Sequence, residues 1–390
     1  MKPTLKIGLI ADDFTGAMDS GAQFSCSKLS VQLRIIGKPS GDVAIINTAS
    51  REISKSEAVT RNIDACRLLV DRQLFKKIDS TLRGHVGAEV EAILSASYYR
   101  KAIICPAAPL QGRTILDGVL YINGVPLKET SFNDDPIYPA KSSYVVELIK
   151  APTARISLDL VRAPLEQLTA AITSANQPLL IADAETPEDL LSLSHAILAT
   201  NSLPCGAFGL AKAFLEALNV DTNVSSPFQP EWPVLVLVGS ANQMAREQVR
   251  ILETLPDCLV LKLGATPPPE IFEQIFDQKP FNKRILVLSA NQDRTICSPE
   301  WIRFGKTVSE IGRNLLESFQ PQTIGVIGGE TATYFCELVM AESIQILGET
   351  MPGIPYGRIQ GGRLDQHLLI TKAGGFGEPG TLKNIFISKE

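Results

Sequence analysis

Five side chains able to bind an anion or move a proton fall between Lys77 and Arg83: Lys77, Asp79, Ser80, Thr81 and Arg83. They close a short apolar run that contains Phe75 and Ile78. Parallel strands carry ligand chemistry at their C-terminal ends, and a helix that follows offers free N–H groups to an anion. The plainer alternative is a capped helix start, with Ser80 or Thr81 as N-cap. A second group, Asp12-Asp13, ends the strand-like run Leu5–Ala11. Adjacent carboxylates repel, and persist where a cation, a metal or a substrate hydroxyl needs them. Asp13 could instead cap the following helix, and one aspartate could cap while the other faces a ligand. Arg51 follows a run ending at Asn47-Thr48, at the same expected sheet edge as Asp12. There it is either solvated or a fork for a carboxylate or phosphate. Arg113, with Gln111 and Thr114, forms the polar tip of a long Pro- and Gly-rich segment.

The second half of the chain offers different chemistry. Three strand-like runs end in Gly239-Ser240-Ala241-Asn242, in Gly328-Gly329-Glu330-Thr331 and in Gly374-Gly375-Phe376-Gly377. Such turns let backbone N–H groups surround phosphate oxygens with no side chain in the way. None is a GxxxxGK[ST] motif. The cations and carboxylates of the first half suit a small anionic substrate bearing a hydroxyl. With the glycine turns they indicate phosphoryl transfer from a nucleotide to a small hydroxy-acid, which is mostly positioning and charge neutralisation. Mg²⁺ bridging the phosphates, held by few protein ligands, belongs to that chemistry. The base is Asp12, Asp13 or Asp79, and the residue types alone leave that choice open.

Composition narrows the class. The net charge of −5 argues against a nucleic-acid or anionic-membrane partner. The seven cysteines are scattered and form no CxxC, so a disulfide framework or zinc site is not expected and a reducing cytoplasm is the natural compartment. With three histidines, a Ser-His-Asp triad or a histidine metal site has little material.

These groups need an α/β scaffold. At 390 residues the chain exceeds the roughly 150 of one domain, so two are expected. Each should be a largely parallel sheet flanked by helices, with an interdomain active-site cleft. Residues 1–220 form the substrate domain, the Pro/Ser-rich 221–233 the linker and 234–390 the nucleotide domain. Within the first, a helix should follow Asp13 and run through Leu29. Strands are expected over Val31–Ile36, Asp42–Thr48, Lys101–Cys105 and Ile156–Leu160. Ser54 and Glu57 read as a capping box, and Thr186-Pro187 as a helix start. Pro106–Ser143 reads as a functional flap with a hairpin at Asn123-Gly124.

Taken together, Ile10-Ala11-Asp12-Asp13-Phe14-Thr15-Gly16-Ala17-Met18-Asp19, the stretch Lys77–Gly84, Gly112-Arg113-Thr114, Gly239-Ser240, Gly328–Thr331 and Gly374–Gly377 resemble the four-carbon acid sugar kinase family. The resemblance runs in the same order through nearly the whole chain. It implies an acid-sugar-binding N-terminal domain, an ATP-binding C-terminal domain and phosphorylation of the terminal hydroxyl of D-threonate, D-erythronate or a 3-oxo-tetronate. Carried over residue by residue, Asp12, Asp13, Arg51 and Lys77–Thr81 would bind substrate. Ser240, Gly328, Gly329, Glu330, Thr331, Gly374 and Gly375 would bind ATP. Pro106-Ala107-Ala108-Pro109, His85 and Gly206-Ala207-Phe208-Gly209 depart from the family pattern beside the expected site. A non-catalytic nucleotide or metabolite sensor, and a kinase of another small hydroxy-acid, are the competing readings. A dehydrogenase, on the same α/β architecture, is a third. A homodimer is expected only from the general habit of soluble enzymes.

Overall fold

Strand β1 (Ile7–Ala11) is buried at every position, as a strand must be when helices cover both faces of a parallel sheet. The structure, a computed structural model, describes residues 5–25, 28–134, 139–220, 228–264, 283–290 and 298–387. It divides into two compact units, one of Met1–Arg34 with Lys38–Asn223, the other of Ile35–Gly37 with Val224–Glu390. Residues 221–227 of the expected linker and 135–138 of the expected flap lie outside the described residues.

In the first unit eight parallel strands run in the order β2 (Val31–Arg34), β3 (Val43–Asn47), β1, β4 (Gln73–Lys77), β11 (Leu203–Gly206), β5 (Ala102–Cys105), β10 (Leu179–Ala182) and β9 (Thr153–Ile156). Ala11 pairs with Asn47 on one side and Lys77 on the other. The loops after β1, β3 and β4 therefore leave the sheet side by side, which is the placement the polar clusters need. Helices α1 (Phe14–Ser25), α2 (Lys55–Leu68), α3 (Val86–Ala96), α4 (Val145–Ile149), α5 (Leu158–Val161), α6 (Leu165–Ser174), α7 (Pro187–Thr200) and α8 (Phe208–Ala217) fill the connections.

Local signals act largely as expected. Thr186 and Asp189 form a reciprocal capping box with Pro187 at the first turn of α7. At α2 only half of the box forms. Ser54 accepts the Glu57 N–H, but the Glu57 carboxylate takes Arg61 at 2.6 Å. The strand expected over Ile156–Leu160 is corrected. It stops at Ile156 because Ser157 takes the N-cap position of α5 and places Asp159 in its first turn. The described part of α1 ends at Ser25 rather than at Leu29.

The Pro106–Ser143 segment is more ordered than a flap. Strands β6 (Arg113–Leu116), β7 (Val119–Ile122) and β8 (Val125–Pro126) form an antiparallel sheet, with the expected turn at Asn123-Gly124. Asp183, buried at the end of β10, accepts the N–H groups of Asp117 at 3.1 Å and Gly118 at 3.0 Å. Ile115 pairs with Ala184. These bonds make the small sheet a fixed platform for Arg113.

In the second unit the order is β13 (Cys258–Leu263), β14 (Ile285–Ala290), β12 (Val234–Val238), β15 (Thr323–Ile327) and β18 (Leu368–Lys372), all parallel. An antiparallel edge follows, of β17 (Ile354–Gln360) and β16 (Ser343–Met351). Helices α9 (Gln243–Glu253), α10 (Ser298–Asn314), α11 (Leu316–Phe319), α12 (Gly329–Leu338) and α13 (Thr381–Phe386) complete it. Its core is built by Val236, Val287, Ile327, Ile370 and Phe386. Val238 pairs with Ile327, and Ile327 with Lys372. The three glycine turns thus start at one level, on adjacent strands.

Candidate active site

In the first unit, Arg51 gathers three carboxylates from two loops. Its Nε lies 2.9 Å from Asp12 Oδ2, and its terminal nitrogen 3.0 Å from Asp13 Oδ1 and 3.6 Å from Asp79 Oδ1. Arg83 grips Asp79 through two nitrogens, at 2.8 and 2.9 Å. The two arginines are therefore largely satisfied by protein carboxylates. Lys77 and Arg113 are not. Lys77 is buried and its Nζ donates to the Ile78 carbonyl at 2.9 Å, its one hydrogen bond among the described residues. The absence of a side chain on Gly16 makes room for it, since a Cβ there would stand 2.8 Å from the ammonium. Arg113 donates to Gln111 at 3.0 Å, while its buried Nε has no partner among the described residues. Lys77 and Arg113 are thus the two cations of this cluster without a carboxylate in ion-pair distance among the described residues.

The aspartates divide their work. Asp13 caps α1, accepting from the Gly16 N–H and the Thr15 hydroxyl at 2.9 Å each. Asp79 accepts from the Thr81 N–H and hydroxyl and from the Arg83 N–H. Asp12 holds Arg51 by one oxygen, and its buried Oδ1 has no hydrogen-bond partner among the described residues. Their proton affinities diverge accordingly. Burial raises the Asp12 carboxyl, Arg51 offsets this only in part, and Asp13 adds to the rise. For Asp79, burial is outweighed by Arg83 and Arg51, which hold it well below the usual range. For Asp13, burial is outweighed by Arg51 and Lys77.

The capped helix start at Ser80 or Thr81 is corrected. α3 begins only at Val86, after His85. Asp79 draws the Thr81 and Arg83 N–H groups into a turn with Leu82 at φ 61°, which no helix can continue. Ala49, two residues before Arg51, also has positive φ, at 44°. Both site loops thus hold a non-glycine residue in the left-handed region, a cost usually met at functional sites. Thr81 spends its hydroxyl on Asp79, whereas Ser80 makes no hydrogen bond among the described residues.

Sequence reasoning missed the support behind Arg51. Lys76 and Glu89 form a fully buried pair at 2.7 Å, Asn62 accepts from Lys76 at 3.1 Å, and Ser50 donates to Glu89 at 2.6 Å. Glu89 stays ionised because Lys76 outweighs burial. The Ser50 N–H also bonds the Asp12 carbonyl at 3.0 Å, tying the Arg51 loop to the end of β1. A lysine inside an apolar strand was the available signal. Burial lowers the proton affinity of the Arg113 guanidinium, and Asp79 and Asp19, the latter one turn further along α1, offset this only in part.

In the second unit the structure brings Ser240, Gly328, Thr331, Gly374 and Gly375 together. A Cβ on Gly374 would run into the Ser240 hydroxyl, and one on Gly375 would meet Asn242 Nδ2 at 3.0 Å. The Thr331 side chain is buried and wedged between Gly239 and Gly305, so its hydroxyl faces packing. Glu330 is exposed in the first turn of α12. The N–H groups of Gly329 and Thr331 lie in the first turn of that helix, where backbone N–H groups can meet phosphate oxygens. Asn242, the N-cap of α9, belongs to this cluster; it ends the first glycine turn in the sequence but is not among the residues expected to bind ATP.

Comparison with known proteins agrees with this division. Residues 7–214 match a family model described as a sugar-binding N-terminal domain, and 235–382 one described as a nucleotide-binding C-terminal domain. The chain is 31% identical to a D-threonate kinase of Salmonella typhimurium, over 97% of both chains. It is 27% identical to a D-erythronate kinase of Heliobacterium modesticaldum, over 94% of this chain and 93% of that one. It is 24% identical to a 3-oxo-tetronate kinase of Brucella melitensis, over 96% and 93%. The fold matches a Haemophilus influenzae structure with a TM-score of 0.76, at 22% identity over 96% of this chain and 98% of that one. Fold, clusters and family models together define the class: a two-domain phosphotransferase with a hydroxyl acceptor. Within that class, the chain belongs to the four-carbon acid sugar kinase family.

No helix among the described residues is long and apolar enough to cross a membrane. Gly374→Ala is expected to weaken adenine-nucleotide binding at least about tenfold, roughly 1.4 kcal/mol, because the new methyl displaces Ser240. Titration calorimetry should find acid binding to the first unit unchanged.

Proposed function

We propose that the chain transfers the γ-phosphoryl group of ATP to the terminal hydroxyl of a four-carbon sugar acid, with D-threonate the first candidate. The observation that carries this reading is the open Oδ1 of Asp12 near the Lys77 ammonium, with Arg113 near Asp79; neither cation has a carboxylate within ion-pair distance among the described residues. Lys77 and Arg113 bind the carboxylate of the acid, and Ser80 bonds one of its hydroxyls. Asp12 accepts the proton of the attacking hydroxyl, having the highest proton affinity of the three aspartates. Asp13 and Asp79 stay ionised and hold Arg51 and Arg83 in place. The oxygen–phosphorus bond to the acid forms as the bond to the β-phosphate oxygen breaks, and ADP leaves. The phosphates are held by the turns at Ser240, Gly328–Thr331 and Gly374-Gly375.

Mg²⁺ would supply charge neutralisation on the phosphates. Among the described residues no group of three His, Cys, Asp or Glu side chains is placed for a metal, so phosphate oxygens and water would be its main ligands. Support for the substrate class comes from the names of the relatives. A reducing cytoplasm is part of the reading, supported by the free, buried thiols of Cys66, Cys105, Cys205, Cys258 and Cys336.

The test is ADP release with Mg-ATP against D- and L-threonate, D- and L-erythronate, 3-oxo-tetronates and 4-hydroxythreonine, with the product position read by NMR. Turnover of one acid at its terminal hydroxyl supports the reading. ATP binding with no turnover across the panel overturns it in favour of a sensor or another hydroxy-acid.

A further inference from the structure

The last residue of β18, Lys372, is fully buried, an unusual place for an ammonium. Buried charges are ordinarily paired, yet no carboxylate lies within ion-pair distance of it among the described residues. Its Nζ donates instead to three carbonyls of the loop that follows: Ala373 at 2.8 Å, Gly374 at 3.2 Å and Phe376 at 2.9 Å. A second fully buried side chain, Gln248 of α9, reaches the same loop. Its Nε2 donates to Phe376 O at 3.0 Å and to Glu378 O at 2.9 Å. The Phe376 carbonyl thus accepts from both. The N–H groups of Gly374, Gly375 and Gly377 donate to no backbone or side-chain acceptor among the described residues.

We propose that Lys372, aided by Gln248, is the positioning residue of the nucleotide loop. Gathering carbonyls on one side of a peptide segment turns its N–H groups to the other. The ammonium orients the loop dipoles so that the glycine N–H groups meet phosphate oxygens. Its own uncompensated charge is complemented by the polyphosphate across the loop. Burial pushes the ammonium down to about 7, which is consistent with a charge that lacks a protein counter-ion. Lys372 touches neither reacting atoms nor ligand in this role. It acts through the loop.

The inference rests on the proposed nucleotide site, and the test separates the two. ATP, ADP and adenosine are titrated calorimetrically into the full chain and into Lys372→Met, with Tm recorded for each protein. A loss graded by phosphate is expected: at least about 30-fold for ATP, less for ADP and within about twofold for adenosine. In turnover, KM for ATP should rise while KM for the acid stays constant. A variant with lower Tm but unchanged nucleotide affinities, or with equal loss for adenosine and ATP, overturns the positioning role. Wild-type protein that binds none of the three overturns the nucleotide reading itself. Where Lys372→Met does not fold, Gln248→Leu must show the same graded loss at smaller size, and an ungraded result there overturns the proposal.

Discussion

Asp12→Asn is expected to lower kcat about 10²- to 10⁴-fold, the range of a lost general base, with KM for the acid changed only a few-fold. The amide keeps an oxygen for the Arg51 Nε, now 2.9 Å from Asp12 Oδ2, so the cluster should keep its shape. What is lost is the oxygen that, among the carboxylates of Asp12, Asp13 and Asp79, no described residue hydrogen-bonds. The pH profile supplies the sharper readout. Burial raises the Asp12 carboxyl above the ordinary aspartate range. The acidic limb of wild-type kcat should therefore lie above that range and disappear from the residual activity of the variant. Asp13→Asn and Asp79→Asn act on carboxylates held low by arginines and should leave that limb in place. If Asp79→Asn removes it and Asp12→Asn does not, the assignment of the base is wrong.

Arg51→Met should destabilise the protein by about 3–5 kcal/mol at pH 7, the cost of leaving buried charges without a partner. Three carboxylates share this guanidinium, and Arg83 compensates only Asp79. In the wild type, Asp13 and Asp79 have folded-state pKa values below their unfolded ones. Their contribution is full above the unfolded aspartate value and is lost as pH falls through the folded one. In the variant, Asp12 and Asp13 lose their main counter-charge, and burial then lifts both above the unfolded value. Such groups destabilise more as pH rises. The deficit relative to wild type should be largest at neutral pH and shrink toward pH 4. Urea denaturation followed by far-UV circular dichroism at pH 7 and pH 4.5 measures it. A deficit that does not depend on pH would mean that Arg51 stabilises by packing alone.

Much of the architecture was legible because it rests on local rules. Val234-Leu235-Val236-Leu237-Val238 can only be a buried strand. Thr186-Pro187 can only open a helix, and Asn123-Gly124 suits a tight hairpin, and all three form. Where local signals competed, the reading failed. Asp79 captured the N–H groups that a helix at Ser80 would have used, and Ser157 converted the end of an expected strand into a helix start.

The sequence by itself determined which groups stand at the ends of which strands: aspartates, lysine and arginines in the first unit, glycine turns in the second. Only the tertiary structure decided how those groups are spent. Arg51 and Arg83 are consumed by aspartates, while Lys77 and Arg113 stay available. Among the described residues one aspartate of the three keeps an open oxygen, and a lysine at the end of β18 is buried with no carboxylate in ion-pair distance. The reason is physical. Arg51 reaches Asp12 across 39 residues of chain, and Gln248 reaches Phe376 across 128. Pairing and desolvation act through space, and the pattern of neighbours along the chain carries no record of them.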